Sequence, residues 1–205
     1  MSRTILVATT NPGKLAELSA MLDGDIVFKS LTDFPAISEV TEDGLTFEQN
    51  ARKKALGYAK ITGLWTIADD SGLVIDALDG APGIHSARFS GEKTDDRTLI
   101  DHKNITKVLD LLKEIPANKR TARFVCSLCL ASPDEVLIQT QGKFEGLIIE
   151  HQIGTNGFGY DPIFFVPHLE KTVAQLSKKE KNAVSHRGNA TRKLKPLLDE
   201  LLSNA

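Results

Sequence analysis

The sequence predicts an α/β protein with a mixed sheet, and two patterns carry that prediction. From residue 5 to residue 68, short apolar runs alternate with segments whose apolar residues recur at helical spacing. Between residues 120 and 150, three β-rich stretches follow one another without an intervening helix. No internal repeat, low-complexity tract or linker marks a boundary, so the 205 residues are read as one domain, 1–205.

Residues 5–9 form a short apolar run of the kind a buried strand needs. Asn11-Pro12 follows, a cap residue with proline at the first helical position, and Leu15, Leu18, Met21 and Leu22 continue the helix. Residues 26–29 predict a second strand, and 31–45 an acidic loop ending in Glu42-Asp43-Gly44. Thr46 and Gln49 have capping-box spacing and open a helix through residue 61, which Gly63 stops. A strand over 65–68 feeds Asp69-Asp70-Ser71-Gly72, which suits a turn or a functional strand end, before the chain extends again over 73–76. A long helix over 95–115 closes at Pro116. Strands are predicted over 120–131, 136–143 and 144–150, with a Pro133-Asp134 turn between the first two. After a glycine-rich loop and a short strand over 163–166, a helix from about residue 185 ends the chain, with a kink expected at Pro196.

Composition removes several classes. Two cysteines cannot build a disulfide framework, and no apolar run approaches the ~18 residues of a spanning helix. The N-terminus has no signal-like core, so the expectation is a soluble cytoplasmic protein without a membrane partner. The net charge of −2 argues against a nucleic-acid binder. Residues 171–195, however, carry eight Lys and Arg against Glu180 alone. A solvated helix face explains such a run as well as a local site for a phosphorylated small molecule.

Four constellations carry chemistry. In Ala8-Thr9-Thr10-Asn11-Pro12-Gly13-Lys14 a strand meets a helix N-terminus with a lysine in its first turn, a place where phosphate binds readily. A capped surface helix is the plain alternative, and the run is not a P-loop, since Ala8 and Leu15 occupy its glycine and hydroxyl positions. In Asp69-Asp70-Ser71-Gly72 a carboxylate at a strand end suits a general base or a hard-metal ligand, as well as a turn. Glu42 and Asp43 are the other oxygen ligands within reach of the second helix. The loop Gly154-Thr155-Asn156-Gly157-Phe158-Gly159-Tyr160-Asp161-Pro162 offers close backbone approach and aromatic faces for a base, or simply packing anchors. Ser185-His186-Arg187-Gly188, near Lys181, offers an arginine fork for oxygen acceptors, or a capped basic surface. Cys126 and Cys129 spell CxxC, but in a strand they face opposite sides, which favours core packing over zinc or redox chemistry.

Taken in register, these segments resemble the inosine triphosphate pyrophosphatase family, in its bacterial branch. Its carriers include the residues from Ala8 to Lys14, Thr46-Phe47-Glu48-Gln49-Asn50-Ala51 with Lys54, and Ala68-Asp69-Asp70-Ser71-Gly72-Leu73. Gly80-Ala81-Pro82-Gly83-Ile84 with Ser86-Ala87-Arg88, Phe158-Gly159-Tyr160-Asp161-Pro162 and Ser185-His186-Arg187 complete them. The resemblance implies an elongated two-lobed α/β fold with a central curved mixed sheet flanked by helices, an active-site cleft between the lobes, and a homodimer. It implies Mg²⁺-dependent hydrolysis of the purine nucleoside triphosphates ITP, dITP and XTP to monophosphate and pyrophosphate. By its pattern Thr9, Thr10, Asn11, Pro12, Gly13, Lys14, Lys54 and Lys181 hold the triphosphate. Asp70 is base and metal ligand, supported by Asp69 and Glu42. Ser71, Phe158, Gly159, Tyr160, Asp161, His186 and Arg187 surround the nucleoside. Thr41 and Asn156 depart from the family pattern, standing where an acid and a glycine are usual. Two other readings share part of this logic: a Maf-type pyrophosphatase acting on other nucleotides, and a nucleotide-binding protein without catalysis.

Overall fold

The computed structural model of the chain describes residues 2–22 and 24–204. Among these residues seven strands, β1 (Arg3–Val7), β2 (Ile26–Ser30), β3 (Trp65–Ile75), β4 (Thr121–Ala131), β5 (Val136–Ile148), β6 (Phe164–Val166) and β7 (Lys171–Thr172), form one open sheet in the order β2-β1-β3-β4-β5-β6-β7. The sheet is mixed, as expected: β1 pairs in parallel with β2 and β3, whereas β6 is antiparallel to β5 and β7. Helices α1 (Pro12–Met21), α2 (Phe47–Thr62), α3 (Arg97–Leu112), α4 (Lys178–Val184) and α5 (His186–Ser203) flank it. Among the described residues, no helix is long and apolar enough to cross a membrane.

The chain divides into two compact units. The first holds residues up to 70, 126–142 and 186 onward; the second holds 71–125 and 143–185. Strands β3, β4 and β5 run through both.

Period-two alternation organises the first unit. Ile5 and Val7 of β1 join Ile67, Cys126, Leu128 and Leu130 in a cluster closed by Leu18 of α1 and Leu194 and Leu198 of α5. Leu6 and Ala8, pointing the other way, join Ala68, Cys129 and Ala131 against Ala51, Ala55 and Ala59 of α2. Cys126 and Cys129 are thus buried in separate clusters, which is the packing role expected of them. In the second unit Phe164 stacks between Phe124 and Phe144, with ring centroids 4.5 and 5.7 Å away. Ile105, Val108 and Leu112 of α3 pack on the same cluster.

The expected caps form. Asn11 Oδ1 accepts from the Gly13 and Lys14 amides, and Gly63 ends α2 at φ 71°. Thr46 accepts from the Gln49 amide, but Gln49 Oε1 reaches the Leu45 amide rather than that of the cap residue, so the box closes one residue early.

Two expectations change, and one element is new. Of the two readings of residues 69–72 the turn does not form: β3 is one continuous strand, in which Asp69 and Asp70 bond the distant side chains of Lys14 and Asn50. The strands expected over 136–143 and 144–150 are a single β5, whose Gly142 and Gly146 allow close approach rather than a turn. A Cβ at Gly142 would lie 2.1 Å from the His186 carbonyl oxygen and 2.4 Å from the Ala190 amide nitrogen. Helix α4 is an element with no counterpart among the expected ones; Ser177 and Glu180 form a reciprocal capping box at its start. As expected, Pro196 lies inside α5, which runs to Ser203.

Because Gly142 meets the backbone of α5, its neighbours cannot yield by a side-chain rotation. Gly142→Ala should destabilise the protein by about 1–3 kcal/mol or more, seen as an earlier transition in thermal or urea unfolding.

Candidate active site

The first unit gathers its polar residues at the middle of β3. Asp69, 4% exposed, accepts at Oδ1 from Lys14 Nζ (2.9 Å) and at Oδ2 from Arg187 Nη2 (3.1 Å). Arg187, 3% exposed, also donates from Nη1 to Glu17 of α1 at 2.6 Å. Its Nε has no partner among the described residues. Burial alone would raise the Asp69 carboxyl, but Lys14, Arg187 and Lys54 outweigh it and hold its pKa well below the usual carboxylate range.

Asp70 has the opposite environment. Its Oδ2 accepts from Asn50 Nδ2 at 3.1 Å, while desolvation pushes its pKa up to about 6. Glu42 and Asp69 add to the rise; the Asn50 bond and Lys54 oppose it. Lys54 Nζ pairs with Glu42 Oε2 at 2.9 Å and donates to the Asp69 carbonyl oxygen at 3.0 Å. Desolvation lowers the Lys54 pKa, but Asp69 and Glu42 more than compensate, so it stays charged.

A cavity of about 680 Å³ opens against Thr9, Thr10, Glu42 and Lys54, with Leu31 and Phe34 on its apolar side. Thr9 is buried and its Oγ1 accepts from the Asn11 amide, whereas Thr10 through Gly13 are exposed at the start of α1. His186 is buried in the first turn of α5. Of the three carboxylates expected at a metal, Asp69 is occupied by two cations. Among the described residues, no three His, Cys, Asp or Glu side chains are gathered closely enough to hold one. Asp70 and Glu42 remain a hard-oxygen pair whose charge Lys54 and Asn50 only partly offset. That donor set suits a divalent cation that takes the rest of its shell from water and phosphate.

In the second unit, the glycine-rich loop is held by Asp161 and Asp101. Asp161 Oδ2 accepts from the Phe158 amide (3.0 Å) and from Lys181 Nζ (2.5 Å), and Asp101 Oδ2 from the Gly159 amide (2.8 Å). Lys181, assigned to the triphosphate from sequence, is here the buried partner of Asp161, with its ammonium 4.6 Å from the Phe158 ring centroid. The two aromatics divide. Tyr160 is a buried anchor bonded to the Ser86 carbonyl oxygen, while Phe158 is 46% exposed. Asn156 is not among the residues with positive φ, so asparagine is accommodated; it donates to the Ala174 and Leu176 carbonyl oxygens. Ser71 lies half-buried on β3 directly after Asp70.

Three participants escaped the sequence reading. Asn50 lay inside a quoted motif, and Glu17 stands one helical turn after Lys14, so both were findable by spacing. Asp101 carried no local signal.

The neighbouring aspartates should respond oppositely to one substitution. In metal-free protein at pH 8, Asp70→Asn should stabilise by about 2–3 kcal/mol, because a folded pKa near 6 against ~3.9 unfolded makes the buried charge costly. The gain should fade as pH falls through 6 and vanish below about 4, where both states are protonated. Asp69→Asn should destabilise by about 3–5 kcal/mol at pH 8, since it strands Lys14 and Arg187. Urea titrations of both variants across pH 4–8 check both signs.

Residues 5–197 match the family model described as the Ham1 family. The chain is 49% identical over 201 residues to a dITP/XTP pyrophosphatase of Bacillus cereus, covering 97% of this chain and 96% of the relative. It is 50% identical over 192 residues to the protein of that name from Geobacter sulfurreducens, covering 93% and 94%. A HAM1 protein structure from Coxiella burnetii superposes with a TM-score of 0.87 at 41% identity, covering 97% of this chain and 99% of that one. With a family match over nearly its whole length and relatives at about half identity, the chain belongs to the Ham1 family.

Proposed function

We propose that this chain hydrolyses non-standard purine nucleoside triphosphates (ITP, dITP and XTP) to the monophosphate and pyrophosphate, with Mg²⁺ as its metal. One observation carries the reading: the pKa values of two adjacent aspartates are shifted in opposite directions, Asp69 held well below the usual carboxylate range by cations and Asp70 raised to about 6. Such a separation of neighbouring carboxyls assigns an electrostatic anchor and a proton acceptor. The relatives named dITP/XTP pyrophosphatase support the substrate class.

In this mechanism Lys14 and Lys54 receive the phosphates, each already oriented by Asp69 through its carboxylate or its carbonyl oxygen. Asp70 accepts a proton from the attacking water. The water oxygen bonds to phosphorus, the anhydride between the α and β phosphates breaks, and the two lysines neutralise the charge that collects on the departing oxygen. Asp70 and Glu42 would hold the Mg²⁺, which when bound would offset phosphate charge and favour deprotonation of the water. Arg187 acts chiefly by fixing Asp69, with Nε–H among the donors left for a 6-oxo purine. Phe158 offers a stacking face for the base, and Lys181 orders the loop that carries it. The proposed enzyme is a single-domain, cytoplasmic protein, as its composition suggests, and a homodimer, as the resemblance implies.

Pyrophosphate release from a triphosphate panel in Mg²⁺ tests the reading. ITP, dITP and XTP should be turned over far faster than ATP, GTP or UTP, and chelation should stop the reaction. A preference for pyrimidine triphosphates would favour the Maf-type reading, and binding without release a sensor. Asp70→Asn should cut ITP turnover by about 10²–10⁴-fold while calorimetry still records nucleotide binding. Because Arg187 is tied to two carboxylates, Arg187→Lys is the cleaner probe of base discrimination. It keeps the charge but loses the fork, and should lower the ITP-to-ATP ratio of kcat/KM.

A further inference from the structure

Asp70 must present one defined oxygen to the reacting water, yet as a half-buried carboxylate on a strand it has little of its own to hold it. Among the described residues Asn50 Nδ2 is the hydrogen-bond donor to its side chain, at Oδ2. The other end of the Asn50 carboxamide accepts from the Gly44 amide at 2.7 Å. A backbone N–H can only donate, so this bond fixes which way the amide points and obliges Nδ2 to face Asp70. Asn50 itself is 2% exposed on α2. One turn along the same helix, Lys54 ties Glu42 to the Asp69 carbonyl oxygen. Two side chains of α2 therefore fasten the acidic loop to adjacent residues of β3. Gly44 completes the fit: a Cβ there would sit 2.6 Å from Asn50 Oδ1.

We infer that Asn50 is a positioning residue, which clamps Asp70 Oδ2 and registers the Glu42–Gly44 loop against it so that Oδ1 is held toward the reacting water. The inference deepens the reading of Asp70 as proton acceptor and rests on it. No other part of α2 supplies this contact: Lys54 reaches the backbone of Asp69, and Gln49 turns to the Leu45 amide. The amide also suits the task chemically. A donor at Oδ2 leaves the carboxylate anionic and fixed, whereas a carboxylate at position 50 would repel it.

The test compares Asn50→Ala, the near-isosteric Asn50→Asp and, from the loop side, Gly44→Ala. Each should lower kcat for ITP per folded molecule by about 10–100-fold, the cost of a misplaced reacting group, with KM moving by less than about threefold. In metal-free, nucleotide-free Asn50→Ala, hydrogen exchange at the Gly44 amide should quicken at least about tenfold without a matching change elsewhere in α2. The double variant Asn50→Ala/Gly44→Ala should be no worse than either single one, since both break one clamp. If Asn50→Ala fails to fold, Asn50→Asp carries the comparison, having the same volume and the same acceptor toward Gly44. A kcat within about twofold of the parent, a loss confined to KM, or additive effects in the double variant would overturn the inference. Asp70→Asn run alongside separates the two claims: its retained turnover would fail the reading of Asp70 itself, whereas an inactive Asp70→Asn with normal Asn50 variants would fail only the clamp.

Discussion

The carboxylate of Asp69 is the constraint on which the first unit depends. It lies at the middle of β3, almost wholly buried, where an unpaired charge would be intolerable. Lys14 from α1 and Arg187 from α5 meet it, and Glu17 meets Arg187 in turn. A strand and two helices are thereby joined through charge, in geometry that leaves little freedom to any partner. Such a network contributes less to net stability than its contacts suggest, because each ion gave up water to form it. What it supplies is position: Lys14 cannot wander, and the strand cannot slip without stranding three charges.

The alternation of a strand converts that constraint into chemistry. Because successive side chains leave a strand on opposite sides, one residue further along meets a different set of neighbours. Asp69 is surrounded by cations; Asp70 meets an amide, a lysine and a second carboxylate. The same residue type thus acquires pKa shifts of opposite direction within one peptide unit. The face of α2 that carries Asn50 and Lys54 is the second half of the device, since it brings the acidic loop to both aspartates. The alanines at 51, 55 and 59 let that helix lie against the sheet.

The second unit uses the same economy on a loop. Asp161 ties the Phe158 amide to the Lys181 ammonium, and Asp101 holds the Gly159 amide. Gly157 and Gly159 take positive φ, which lets the chain present Phe158 outward while Tyr160 anchors inward. Sequence gave these two aromatics equal standing; burial separates a candidate stacking surface from a packing residue.

Much of this protein was determined by neighbours a few residues apart, and those features were legible. The Asn11 cap, the Gly63 stop, the alternation of β1 and the opposed cysteines follow from local geometry that no partner can reverse. The family was legible too, because the types and order of the motif residues match it over residues 5–197. What tertiary structure decided was partnership. Asp69 finds Lys14 across 55 residues and Arg187 across 118, and nothing local says that Lys181 closes on Asp161 rather than standing open. Of the two readings of residues 69–72 the turn gives way to a strand, in which Asp69 and Asp70 bond distant side chains. Gly142 and Gly146 resemble turn residues until the backbone of α5 or the ring of Phe164 is placed against them. Local sequence sets the conformations open to each segment; burial of charge and close backbone approach, which exist only once the segments meet, choose among them.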